Sequence, residues 1–148
     1  MSTDQTNFRN PSWQDIDALL STSRTIAVVG LSDKEDRPSY QVSAAMLDAG
    51  FQIIPINPAR EEILGQKCYA SLKDIPESIA VDIVNVFRRS DQTLDSALDA
   101  VAIRAKALWL QQGVYNEETA VVAQQGGLQV IMDRCIKVDH ALRGRARG

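Results

Sequence analysis

The sequence predicts an α/β fold of the Rossmann-like, doubly wound kind, with about five parallel strands in one sheet and helices on both faces. Three observations carry this expectation. From Ser12 onward, short aliphatic runs alternate with segments of helical spacing; the first run stops at a glycine; and later runs end in Asn, Arg, Gln or Gly. Right-handed crossovers return every strand of such a sheet to the same end, and the expected strand order is 3-2-1-4-5. Strands one and four then flank the switch point, and a ligand belongs in the crevice beyond their carboxyl ends.

Each element has a local reason. Ser12 and Asp15 resemble a capping box, and Ile16, Leu19 and Leu20 give the leading helix one apolar face. Thr25, Ile26, Ala27, Val28 and Val29 form a buried strand that meets a loop at Gly30. Pro38 and Ser39 open a helix carrying Val42, Met46 and Leu47, which Gly50 closes as a left-handed cap. Residues 51–56 make the second strand, ended by Asn57 and Pro58. The stretch 61–77 reads as a connection with room for one helical turn, punctuated by Gly65, Ser71 and Pro76. Residues 81–86 form the third strand, after which Ser90 caps a helix with Leu94, Ala97, Leu98 and Val101 on one stripe. Residues 107–110 are the fourth strand. Asn116 then caps a helix whose first turn holds Glu117 and Glu118, favourable at its positive end, and Gly126 and Gly127 end it. Residues 128–132 are the fifth strand, followed by a short helix over 136–142.

Composition narrows the function classes. A chain of 148 residues, 45% hydrophobic and 24% charged, is sized for one domain, here residues 1–148, with 1–11 and 143–148 expected to be flexible. The longest apolar runs are of strand length, so no membrane span is expected, and the polar start lacks the anatomy of a secretory signal. A cytoplasmic location follows. Cys68 and Cys135 are too few for a disulfide framework and lack metal-ligand spacing, and His140 has no second histidine to share a zinc ion. A net charge of −3 argues against general nucleic-acid binding; Arg143, Arg145 and Arg147 read as a solvated tail.

The candidate site lies in the loops at the carboxyl ends. After Gly30 the chain reads Leu31, Ser32, Asp33, Lys34, Glu35, Asp36, Arg37, Pro38, Ser39 and enters a helix, whose free N–H groups form an anion site. Gly30 permits close backbone approach, Ser32 and Ser39 offer hydroxyls, and Arg37 or Lys34 offers positive charge. An ordinary turn and helix cap is the alternative. Asp33, Glu35 and Asp36 sit awkwardly beside an anion and must face solvent for such a site to work. The three-glycine motif of nicotinamide dinucleotide sites is absent, as is the acidic residue after strand two. That strand ends instead in Asn57, Pro58, Ala59 and Arg60; an arginine there suits a phosphorylated ribose, in NADP or in CoA, unless it is simply a solvated surface residue. Strand three ends in Phe87, suited to flank an adenine, and in Arg88 and Arg89, of which alternation should aim at most one at the crevice. Strand four ends in Gln111, Gln112 and Gly113, a polar turn able to meet an amide-rich arm.

The ordered segments VVGLSDKEDRPSYQV, IIPINP, DIVNVFRR, LWLQQGVYNEE and GLQVIMDRC resemble the bacterial CoA-binding domain proteins, which are related to the nucleotide-binding domain of the succinyl-CoA synthetase alpha subunit. The resemblance runs from Ser12 to His140. It implies a pocket for coenzyme A or an acyl-CoA formed by Gly30, Ser32, Arg37 and Ser39, with Asn57, Pro58, Phe87, Arg88, Gln111 and Gly113 around it. The synthetase loop is richer in glycine, and its phosphohistidine belongs to a second domain, so ligase activity is expected to be absent. No nucleophile is paired with a base in the sequence, which also favours a binding module that acts as carrier, sensor or regulator. An NADP-linked oxidoreductase and an interaction subunit with a vestigial pocket are the alternatives. Cys135 resembles a recurring family cysteine, placed to face the ligand thiol; a buried structural cysteine is the other possibility.

Overall fold

In the computed structural model, which describes residues 8–146, the chain runs α1 (Trp13–Thr22), β1 (Thr25–Val29), α2 (Pro38–Asp48), β2 (Gln52–Ile56), β3 (Glu62–Ile63), β4 (Gln66–Lys67), β5 (Ile83–Val86), α3 (Leu94–Ala102), β6 (Ala107–Leu110), α4 (Glu117–Gln125), β7 (Gln129–Ile131) and α5 (Ile136–Ala146). Five strands form a parallel sheet in the order β2-β1-β5-β6-β7. Alternate side chains of these strands feed two cores, one on each face. Ala27, Val29, Ile54, Val84, Val86, Leu108 and Leu110 pack with α3 and α4 through Ala97, Ala100, Ala120 and Ala123. Ile26, Val28, Ile53, Ile83, Trp109 and Ile131 pack with Ile16, Leu19 and Leu20 of α1, Val42 and Met46 of α2, and Ile136 of α5. Burial on both faces is why these strands are apolar along their length. The fold is the Rossmann-like α/β class.

Beyond β2, among the described residues, the sheet is extended only by Tyr69, which bridges Ile56 in parallel. Counted as the third member, that bridge makes the order 3-2-1-4-5-6, which contains the 3-2-1-4-5 pattern. On sequence grounds that outer place belonged to 81–86; the structure puts Ile83–Val86 between β1 and β6 instead. The reason is burial and pairing. All four β5 residues, Asn85 included, are buried, as a central strand requires, and Asp82 just before them accepts N–H bonds from Arg24 and Thr25 at 2.8 and 3.0 Å, setting β5 beside β1. The switch point therefore lies between β1 and β5.

Local details differ in two further places. The stretch 61–77 holds the expected helical turn, at Leu72–Asp74, but also the β3–β4 hairpin, whose Leu64-Gly65 turn has both residues at positive φ, 56° and 72°. Leucine is not a turn-forming residue, so the hairpin carried no signal. Ser90 does not cap α3, which begins after Thr93; its Oγ accepts the Tyr115 N–H at 2.9 Å and its carbonyl accepts Asn116 Nδ2 at 3.0 Å, joining the β5 and β6 loops. At the termini, Asn10 exchanges two hydrogen bonds with the Met132 backbone, and Arg143, within α5, donates to Asp17 at 2.6 Å. Residues 1–7 and 147–148, including Arg147, lie outside the described residues.

Asp82 ties three strands at the amino edge, through those two amides and through Lys106 at 3.3 Å. Burial pushes its carboxyl up, but the amides and Lys106 outweigh burial and hold it below its ordinary range. A depressed folded-state pKa means that its contribution is complete above about pH 4 and is lost as pH falls through the lower folded value. Asp82→Asn should therefore cost about 1–2 kcal/mol at pH 7, with the gap from the unaltered protein closing below about pH 4. Urea unfolding across pH checks this; a gap that stays constant down to acid pH contradicts it.

Candidate functional site

The carboxyl edge is built as a staircase. The first residue past each of three strands donates its N–H to the last residue of a neighbour: Gly30 to Ile56 at 3.4 Å, Phe87 to Val29 at 2.9 Å and Gln111 to Val86 at 3.2 Å. The chain turns sharply at Gly30, where φ is +83° and the position a Cβ would take lies 2.4 Å from the Phe87 carbonyl oxygen. Only glycine satisfies both conditions.

Two connected lobes open above this edge. The larger, of about 760 Å³, is lined by Gly30, Ser32, Lys34, Arg37, Ser39, Phe87, Arg88, Arg89, Gln111 and Cys135 among others. The smaller, of about 480 Å³, lies over the end of β2 and is lined by Asn57, Pro58, Ala59, Arg60 and Asp33. Gly30, Ser32 and Arg88 border both lobes. Each has the size of an ordinary small-molecule site.

At the floor of the larger lobe, α2 begins with Pro38, which has no N–H to lose, and no side chain caps the helix. The Ser39 hydroxyl instead accepts the Ser32 N–H at 3.0 Å, and the Ser32 hydroxyl accepts the Lys34 N–H at 3.1 Å, so the loop folds back over the helix start. Lys34, Arg37 and Arg88 line the same lobe and none forms a salt bridge among the described residues, although Lys34 is close enough to Asp33 to help lower its carboxyl and Arg88 Nη2 donates to Gln92 Oε1 at 3.4 Å. Glu35 and Asp36 face solvent and line neither lobe.

Asp33 has another role. Its carboxylate receives Arg60 Nε at 2.6 Å, joining the loop after β1 to the loop after β2. The Arg60 guanidinium holds the Asp33 carboxyl below its usual range, and Asp33 in turn raises Arg60. Asn57 links the same two loops, donating Nδ2 to the Leu31 carbonyl at 3.0 Å while its Oδ1 accepts the Ala59 N–H at 2.8 Å.

Gln111 is 5% exposed, and its Oε1 accepts Asn85 Nδ2 at 3.2 Å and the Ile136 N–H at 3.4 Å. Those bonds leave Nε2 with no acceptor among the described residues, on the wall of the larger lobe. Ile136 follows Cys135, which is half-buried and lines the same lobe. Cys68 is buried elsewhere, where burial and then Glu62 push its thiol up.

The structure thus gathers Gly30, Ser32, Arg37, Ser39, Phe87, Arg88 and Gln111 in one lobe and Asn57, Pro58 and Arg60 in the other. Gly113 lines neither lobe. Its N–H donates to Asp133 at 2.7 Å and it turns the β6 loop at φ 86°, so Gln112 and Val114 line the lobe in its stead. Both Arg88 and Arg89 reach the cleft, because β5 ends at Val86 and strand alternation no longer governs them. Phe87 lies in the larger lobe, not over the end of β2. Val42 and Cys135 complete the wall; their place there depends on the packing of α2 and α5, which sequence spacing does not report.

The described residues hold no group of three or more metal-ligating side chains and no helix long and apolar enough to cross a membrane. A five-stranded parallel sheet with an uncapped helix start at its switch point defines the Rossmann-like α/β class. The family is specific: residues 24–141 match the model of the CoA binding domain, and the chain belongs to that family. It is 51% identical over 135 residues to the uncharacterized protein YneT of Bacillus subtilis, covering 91% of this chain and 98% of that one. The structure of a hypothetical protein from Pyrococcus horikoshii superposes with a TM-score of 0.86 at 32% identity, covering 97% and 100% of the two chains. The alpha subunit of an ADP-forming acetate–CoA ligase from Pyrococcus furiosus is 27% identical over 124 residues, covering 78% of this chain but only 27% of the subunit.

Gly30→Ala should destabilise the protein by about 1–3 kcal/mol, from the positive φ and the collision with the Phe87 carbonyl together. Chemical denaturation checks it, and an unchanged midpoint would show that the edge is looser than described.

Proposed function

We propose that the chain binds coenzyme A or an acyl-CoA along the carboxyl edge of its sheet and serves as a carrier, sensor or regulatory module without a reaction of its own. The observation that carries this is the uncapped start of α2 in a lobe also lined by Lys34, Arg37 and Arg88, three cations that form no salt bridge among the described residues. Free N–H groups at a helix start and unpaired guanidinium groups are what a pyrophosphate requires. The phosphates lie over Ser32 and Ser39, the adenosine extends into the lobe beside Asn57, Pro58 and Arg60, and the amide-rich arm runs past Gln111 and Gln112 toward Cys135. Membership of the CoA binding domain family supports the ligand. None of the residues lining the larger lobe is a carboxylate or an imidazole. A cytoplasmic location belongs to the same proposal.

Calorimetry should show CoA binding more tightly than NADP, and Arg37→Ala or Arg88→Ala should each weaken CoA by roughly 1.5–3 kcal/mol. Unchanged affinity in both variants would remove these arginines from the site, and tighter binding of NADP would favour an oxidoreductase.

On this reading Cys135, which lines the larger lobe, meets the thiol end of the ligand. With oxidised CoA, its thiolate would attack one sulfur of the disulfide, releasing one CoA thiolate and leaving a mixed disulfide. Peptide mass spectrometry should find the adduct on Cys135 and not on buried Cys68. Absence of the adduct under conditions where CoA binds rejects the exchange.

A further inference from the structure

We infer that the protein has a second binding site, at the amino edge of the sheet, that takes an aliphatic α-amino acid such as leucine. The site shares no residue with the two lobes at the carboxyl edge and does not depend on the CoA reading.

A cavity of about 520 Å³, within the range of ordinary small-molecule sites, opens between the connection that leads into β5 and the end of α3. Its apolar wall is the rim of a core. Ile75 and Val81 belong to the cluster beneath α3 and α4, and Ile79 and Ile103 pack against that cluster while only half-buried. Branched side chains left partly open to a cavity gain when another aliphatic group covers them.

Three charged side chains line the same cavity. Lys73 is matched to Asp99 at 3.8 Å. Glu77 and Arg104 are exposed, and neither side chain forms a hydrogen bond or an ion pair among the described residues. Opposite charges that border one cavity without joining leave room for a molecule carrying the complementary pair. A guanidinium suits a carboxylate, and the Glu77 carboxylate suits an ammonium group. An α-amino acid carries both groups on one carbon, which leaves its side chain free to cover the aliphatic wall.

The backbone singles out Arg104. Where α3 ends, the Arg104 N–H donates to the Val101 carbonyl at 3.0 Å and the Ala105 N–H to the Ala100 carbonyl at 3.1 Å, a closure whose left-handed position usually falls to glycine. Arg104 takes that position at φ 60°. The chain thus bears a conformational strain that glycine would not, and strain of this kind collects at ligand-binding sites. Here it sets a guanidinium without a partner at the border of the cavity.

The test is an amide NMR titration with leucine, with isocaproate, which lacks the ammonium group, and with isoamylamine, which lacks the carboxylate. Leucine should shift the amides of Ile79, Val81, Ile103 and Arg104, and each analogue should bind about tenfold or more weakly, having lost one charge-assisted contact. Glu77→Gln should weaken leucine and leave isocaproate unchanged. Arg104→Gly should raise the midpoint of urea unfolding, because glycine accepts the left-handed backbone, while abolishing the leucine shifts; Arg104→Lys should keep an intermediate affinity. Absence of leucine shifts at these amides, isocaproate binding as tightly as leucine, or leucine binding that survives in Arg104→Gly would overturn the site.

Discussion

The approach of the Phe87 carbonyl to Gly30 governs the carboxyl edge of this sheet. Because β1 and β5 are adjacent and in register, the chain leaving β1 has to turn beneath the start of the β5 loop, and only a residue without a side chain can pass. That turn sends the loop over the start of α2, where the Ser32 amide finds the Ser39 hydroxyl and the first turn of the helix stays open. The same closeness brings Arg88 to the boundary of both lobes. The site is therefore a product of strand order, and its cations converge because their strands are neighbours.

Charge is distributed along this edge with economy. Among the acidic residues of the β1 loop, Glu35 and Asp36 are turned to solvent, and Asp33 is consumed in aligning Arg60. A loop whose composition looks hostile to an anion thus lines the larger lobe with Lys34 and Arg37. Potential in a cleft depends on which groups face it, and a net charge of −3 for the whole chain is compatible with a locally positive site.

Much of this was legible in the sequence because the signals are local. The β-branched run ending at Gly30, the Pro38 start of α2 and the Asn116 cap of α4, whose side chain accepts the Thr119 N–H at 3.0 Å, each follow from short-range physical chemistry. The lateral position of β5 was not legible, because it is settled by Asp82 reaching the amides of Arg24 and Thr25 across 57 or more residues. The β3–β4 hairpin was hidden by a leucine at positive φ. Within the site, loop membership identified Gly30, Arg37, Ser39 and Arg88, while the partners that redirect Asn57, Gly113 and Ser90 come from other loops and leave no mark on local spacing.

Placement of an anionic nucleotide over the start of α2 is most directly measured by following backbone amide resonances during titration with CoA. The largest perturbations should fall on the amides of Gly30, Ser32, Ser39 and Tyr40, with smaller ones at Arg60 and Gln111. Perturbations centred instead on the groove at the opposite edge, around Lys73, Ile79 and Arg104, would contradict the account.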